Sequence, residues 1–278
     1  SLPRMVAQNC KEVIVVDYSC PQGTGEFVTE HFPSVRVVVI TGETHFSNWK
    51  ARNTGAAAAT SDVLIFADAD TILADGAVDW LAANLPEKTY GFFESSTSRA
   101  FNRAGPRLAA NQLRGFHVVP RAAFERVGGY DEVLQGYAAG ADTDFEERLG
   151  MIGLRRHALD HCMVESVIEH DLASRTQHHA QPVPKSYCAG LLYRGAKRIV
   201  LRVRGGTELP VEIRRNLYQA AQQAAESLGG RANRVGMTVN LGKDPVLMPR
   251  QLGYERGMQN FSLTVEIVLE NKLPEIPE

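Results

Sequence analysis

The sequence predicts an α/β protein built on a doubly wound sheet, mixed but mostly parallel. Two short β-branched runs, residues 12–16 (EVIVV) and 35–40 (VRVVVI), lack the alternation of half-exposed strands. Helical stretches separate such runs, which is the pattern of parallel strands covered on both faces. A third observation is Asp68-Ala69-Asp70, directly after the apolar run 63–66 (VLIF). That places two carboxylates at the carboxyl end of a strand, where open α/β sheets bind their ligands.

The elements follow in order. Pro21, Gly23 and Gly25 break the chain after the first strand, residues 27–32 form a short helix, and Pro33 turns the chain into the second strand. Ser47 caps a helix that runs through Trp49, Lys50 and Arg52 to the alanine run 56–59, and Ser61-Asp62 lead into the strand 63–66. A helix at 77–84 and a strand at 90–94 come next. The polar stretch 95–112, with Arg99, Arg103 and Arg107, reads as a mobile loop able to gate a site, or as a solvated surface loop. Pro182 and Pro184 mark a joint, after which an amphipathic helix (212–228) and two strands (235–241 and 261–269) are expected. The chain thus divides into a core (1–182), an extension (183–260) and a final strand (261–278) expected to complete the core sheet.

Composition narrows the function classes. With 278 residues, 44% hydrophobic and 22% charged, the chain buries a full core, as one large domain or one domain with an appendage. Thirty Lys and Arg balance thirty-two Asp and Glu, so no nucleic-acid partner is expected from net charge. Cys10, Cys20, Cys162 and Cys188 show no CxxC spacing, which favours free thiols and a cytoplasmic setting. No run reaches the ~18 apolar residues of a span, so no integral membrane segment is expected.

Asp68 and Asp70 suit a hard cation. A diphosphate leaves readily only when its developing charge is neutralised, and Mn²⁺ or Mg²⁺ on one or two carboxylates does this while leaving positions open for phosphate oxygens. A solvated turn or a helix cap is the plainer role for the same residues. The series Gly128-Gly129-Tyr130-Asp131-Glu132, then Gly140-Ala141-Asp142-Thr143-Asp144-Phe145, sets carboxylates at a loop-to-helix junction. Asp142 is the candidate general base for an acceptor hydroxyl; capping the helix is the alternative. His170, after the apolar run 163–168, can join the metal as a neutral imidazole or serve a structural role.

The motifs Val15-Val16-Asp17-Tyr18-Ser19, Trp49-Lys50-Ala51-Arg52-Asn53, Phe66-Ala67-Asp68-Ala69-Asp70, Gly128-Gly129-Tyr130-Asp131-Glu132 and Asp142-Thr143-Asp144-Phe145 occur in this order. Over about residues 1 to 170 the series resembles the family 2 glycosyltransferases. The resemblance implies a GT-A type fold and an inverting transfer of sugar from a nucleotide diphosphate donor, UDP-linked on family grounds, to a saccharide or other hydroxyl acceptor. It implies that Asp17 and Ser19 line the nucleotide, that Arg52 and Asn53 border the nucleoside, and that Asp68 meets the ribose or the metal. Asp70 then binds the metal directly, His170 is its late ligand, and Asp142 is the base.

Three departures qualify the resemblance. Ala141 stands where such enzymes often carry an acidic residue, and Tyr18 where many carry a second aspartate. The family's opening strand is absent from its usual place, and residues 261–272 (FSLTVEIVLENK) resemble it. Either the domain is circularly permuted, with 261–271 beside 12–16, or that strand lies outside the given chain. A sugar nucleotidyltransferase is a rival, although its Gly-rich phosphate loop is missing. A carbohydrate- or nucleotide-binding scaffold without turnover is the rival from outside enzymology.

Overall fold

In the computed structural model, residues 1–93, 113–137, 139–179, 183–226, 234–242 and 261–268 are described. The stretch 95–112, expected to form a gating loop, lies outside them. After a short helix α1 (Leu2–Val6), the first β-branched run becomes β1 (Val13–Asp17). The second becomes β2 (Val35–Val39), parallel to β1 from Val13↔Val35 to Asp17↔Val39. Parallel neighbours need a crossover, and α2 (Thr24–His31) supplies it, burying Val28. Helix α3 (Asn48–Ala58) begins where expected, with the Ser47 hydroxyl accepting the Lys50 N–H at 3.3 Å. Glu12 Oε1 accepts from the Thr60 and Ser61 amides at 2.6 and 2.9 Å and from both hydroxyls, fastening the start of β1 to the turn after α3.

Strand β3 (Val63–Phe66) leads through the Asp-Ala-Asp turn into β4 (Thr71–Leu73), followed by α4 (Ala77–Asn84) and β5 (Thr89–Phe92). Then come β6 (His117–Pro120), α5 (Arg121–Val127), α6 (Ala141–Met151), β7 (Arg155–Ala158) and β8 (Val164–Val167). The four-stranded sheet has the order β3-β6-β5-β7. Its β3–β6 and β6–β5 pairs are antiparallel and β5–β7 is parallel, while β4 pairs antiparallel with β8. The sheets are therefore mixed, with less parallel pairing than expected, because β6 runs against both of its neighbours. Leu73, Leu81, Phe93, Leu113, Phe116, Val118, Leu159, Met163 and Val167 form one apolar core, buried to below a tenth of their surface.

The chain forms two compact units. The first is Ser1–Tyr130 with Phe145–Arg175; the second is Asp131–Asp144 with Thr176–Glu278. The expected linear division at residue 182 missed the segment 131–144, which belongs with the later unit. After a short helix α7 (Leu172–Thr176), the second unit holds two long helices, α8 (Val183–Arg204) and α9 (Val211–Glu226), and two strands, β9 (Arg234–Gly242) and β10 (Phe261–Val268). Helix α9 buries Leu217, Tyr218, Ala221 and Ala225 along one face. Helix α8 is masked in the sequence by Pro182 and Pro184, yet Pro184 sits in its first turn, where a missing N–H costs nothing.

The final strand corrects the permutation expectation. β10 pairs antiparallel with β9, Val265 opposite Met237, and not with β1, whose described partner is β2. The reason is readable in its pattern. Phe261, Leu263, Val265 and Ile267 alternate with Ser262, Thr264 and Glu266. Val265 is buried while Ser262, Thr264 and Glu266 are exposed, as in a strand with one covered face.

Candidate active site

The Asp-Ala-Asp turn is built by its flanking strands. The Thr71 amide bonds the Asp68 carbonyl at 3.0 Å, closing the turn between β3 and β4. The β4–β8 ladder continues through the Ile168 amide to the Asp70 carbonyl at 2.8 Å. A backbone ladder thus brings residues 98 positions apart to the same strand end, and His170, exposed, follows two residues after Ile168.

Arg52 and Asp68, both expected at the site, are brought together. Arg52 Nη2 donates to Asp68 Oδ1 at 2.6 Å; the Arg52 side chain is 9% exposed and that of Asp68 41%. The guanidinium lies 5.6 Å from the Trp49 ring centre and 5.3 Å from that of Tyr130, so it is held by ring faces as well as charge. Gly115 underlies the pair: a β-carbon there would sit 2.5 Å from Asp68 Oδ2 and closer still to Arg52 Nη2. Sequence reading misses this glycine, because nothing near it marks it.

Asn53 faces the protein. Its Nδ2 donates to the Tyr130 carbonyl at 2.9 Å and its Oδ1 accepts the Tyr130 amide at 2.8 Å, clamping the Gly-Gly-Tyr turn. Tyr130 is then stacked on Phe145 at 4.2 Å, with its hydroxyl 3.0 Å from His117 Nδ1. Asp17 is buried at the end of β1, accepting the Cys20 amide at 2.8 Å and the Gly25 amide at 3.0 Å, so both of its oxygens serve the β1–α2 turn. Ser19, at φ 55°, donates to the Ile40 carbonyl at 2.6 Å and joins that turn to the end of β2.

Asp142 lies half-buried in the first turn of α6, within the segment 131–144 of the second unit. Nearby in that unit a carboxylate triad, Asp131, Asp144 and Glu208, has oxygens within 4.8 Å of one another. The triad does not fit a divalent cation, because Lys197 Nζ already stands among them at 2.7, 3.0 and 2.8 Å, and Arg214 Nη1 is 2.6 Å from Asp131. Burial by itself would push the Asp131 carboxyl up; the charges of Lys197 and Arg214 outweigh it and hold the group well below the usual carboxylate range. Burial and the neighbouring Asp131 push the Tyr193 phenol far up, so it remains a donor to Asp131. The turn at Asp68 and Asp70 has the donor chemistry a hard divalent cation takes, with carboxylate oxygens, partial exposure and one Asp68 oxygen engaged by Arg52.

Residues 4–107 match the model of glycosyl transferase family 2. Over that segment the chain is similar to this family. Its described residues form an α/β fold with mixed sheets. Among solved structures it is similar to the mannosyltransferase PcManGT from Pyrobaculum calidifontis in complex with GDP-Man and Mn²⁺, at 17% identity over 83% of this chain and 71% of that one, TM-score 0.46. It is similar also to glucosyl-3-phosphoglycerate synthase from Mycobacterium tuberculosis in complex with phosphoglyceric acid, at 18% identity over 66% and 68%, TM-score 0.41. A third is the catalytic domain of Drosophila beta1,4-galactosyltransferase 7 complexed with xylobiose, at 13% identity over 62% and 75%, TM-score 0.41. No curated protein matches the chain. The matched segment holds Asp17, Ser19, Arg52, Asn53, Asp68 and Asp70; His170 and Asp142 lie beyond it. Among the described residues no helix is long and apolar enough to cross a membrane.

Proposed function

We propose that the protein transfers a sugar from a nucleotide diphosphate donor, UDP-linked, to an acceptor hydroxyl with inversion. The observation that carries the reading is the Asp68–Asp70 turn: within the family-matched segment, at the carboxyl end of β3, with Asp68 held by Arg52 and the strand end at Asp70 joined by β8. Asp70, with Asp68 and His170, would hold Mn²⁺ or Mg²⁺, which when bound neutralises charge on the leaving diphosphate. Arg52 fixes the direction of Asp68 and leaves its second oxygen for the ribose or the cation. Asp17, Ser19 and Asn53 support the nucleoside side by shaping the β1–α2 and Gly-Gly-Tyr turns. Asp142 takes the acceptor proton as the hydroxyl oxygen attacks the anomeric carbon opposite the leaving phosphate.

The test is calorimetric titration of UDP and GDP, with and without Mn²⁺, into the protein, Asp70→Ala and Asp142→Asn. The reading expects Mn²⁺-dependent UDP binding that Asp70→Ala abolishes and Asp142→Asn retains, with Asp142→Asn losing at least about a hundredfold in transfer from any UDP-sugar that the wild type uses. Binding of neither nucleotide refutes it. UDP binding without transfer or hydrolysis of any UDP-sugar favours a non-catalytic nucleotide-binding scaffold.

A further inference from the structure

The segment 131–144 is gripped along its length by the two long helices of its own unit. On α8, Ser186 Oγ donates to the Tyr137 carbonyl. Gly190 packs on Ala139, where a β-carbon would lie 2.7 Å from the carbonyl carbon. Arg194 lies over Gly140, and Tyr193 and Lys197 reach Asp131. These positions recur every three or four residues, so one helix face makes the whole docking surface. From α9, Arg214 bonds Asp131 at 2.6 Å, and the Tyr218 hydroxyl accepts the Gln135 amide at 3.1 Å and donates to its carbonyl at 2.9 Å.

Lys197 is the centre of this grip. It is 1% exposed and pairs with Asp131 at one end of the segment, Asp144 at the other, and Glu208 beyond α8. Three carboxylates against Lys197 and Arg214 leave one net negative charge; removing Lys197 leaves two, in a buried site with oxygens already within 4.8 Å of one another. Uncompensated buried charge of that kind is strongly unfavourable.

We propose that Lys197 is a positioning residue whose ammonium serves as a built-in cation, tying both ends of the segment 131–144 to α8 and so fixing where Asp142 is carried. The consequence for Asp142 rests on its reading as the general base; the tie itself does not. It also gives residues 183–226 a role, as the support on which that segment is laid.

The test is hydrogen–deuterium exchange of the full chain, in an Asp70→Ala background that removes the proposed cation turn on the first unit. Adding Lys197→Ala is expected to speed exchange of the 131–144 amides at least about tenfold, the loss that follows from breaking charge-assisted bonds, while β1 to β3 keep wild-type rates. Mn²⁺ is the probe for cation equivalence. It is expected to bind Lys197→Ala with one equivalent more than the Asp70→Ala parent and to restore slow exchange over 131–144, an effect that loss of packing alone would not produce. A folded Lys197→Ala chain with unchanged exchange there overturns the proposal, as does fast exchange that Mn²⁺ does not slow. Should Lys197→Ala not fold, Tyr193→Phe removes a single hydroxyl bonded to Asp131. A roughly threefold or larger rise in exchange confined to 131–144 then supports the tie, and no rise overturns it. None of these readouts uses a nucleotide, so absence of UDP binding would sink the transferase reading and leave the result on Lys197 intact.

Discussion

Replacing Gly115 by alanine is predicted to destabilise the first unit, while the same change at Gly150 stabilises it. At Gly115 the new methyl would fall 2.5 Å from Asp68 Oδ2 and closer to Arg52 Nη2. Neither atom is a free side-chain end: they belong to one 2.6 Å ion pair, and the guanidinium is confined by the rings of Trp49 and Tyr130. Overpacking such a site costs about 1–3 kcal/mol. Gly150 is exposed, lies near the end of α6, and has nothing within 4 Å of an added β-carbon. Alanine there gains about 0.5–1 kcal/mol by removing a flexible residue from a helix. The chain has two tryptophans, Trp49 and Trp80, and both lie in the first unit with both glycines, so fluorescence during urea denaturation reports that unit. With a urea slope of about 2 kcal/mol per molar, the Gly115→Ala midpoint falls by roughly 1 M and that of Gly150→Ala rises by a few tenths. A Gly115→Ala midpoint at or above wild type would refute the claim that the Arg52–Asp68 pair fills the space over this glycine.

Two further outcomes use the same unfolding measurement. Asn53→Ala strips both partners from the Tyr130 backbone and is expected to cost about 2–4 kcal/mol, with Asn53→Asp, which keeps the acceptor and loses the donor, falling between; equal stability of all three would count against the clamp. The Thr60 amide, assisted by the hydroxyls of Thr60 and Ser61 and the Ser61 amide, lowers the Glu12 carboxyl to about 2. The folded value lies below the unfolded one of about 4.3, so Glu12 contributes stability that is full above the unfolded value and disappears as pH falls towards 2. The gap between wild type and Glu12→Gln is therefore expected at pH 7 and to close in acid; a gap independent of pH from 7 to 2 would contradict it.

Much of the first unit is legible in the residues alone. The helix capped by Ser47, the strand Val63–Phe66 and the helix Ala77–Asn84 follow from caps, β-branched runs and apolar periodicity, all set by residues within a few positions of one another. The Asp68–Asp70 turn is legible for the same reason, since it needs only the end of an apolar strand followed by carboxylates. Helix α8 is not, because prolines that punctuate the sequence are harmless in a first turn. The direction of β6 and the partner of β10 are not either, although the alternation from Phe261 to Ile267 points to a strand with one covered face.

By itself, then, the sequence determined element types, the position of the acidic turn and the similarity of residues 4–107 to glycosyl transferase family 2. Tertiary structure alone decided what each polar side chain does. Asn53 meets Tyr130 across 77 positions, Lys197 meets Asp131 across 66 and Asp144 across 53, and Arg52 and Asp68 close over Gly115. Local propensity carries no record of partners that far apart. A lysine in an amphipathic helix looks alike whether it is solvated or buried among three carboxylates, and only the packing of α8 against the segment 131–144 removes the water that would otherwise satisfy its charge.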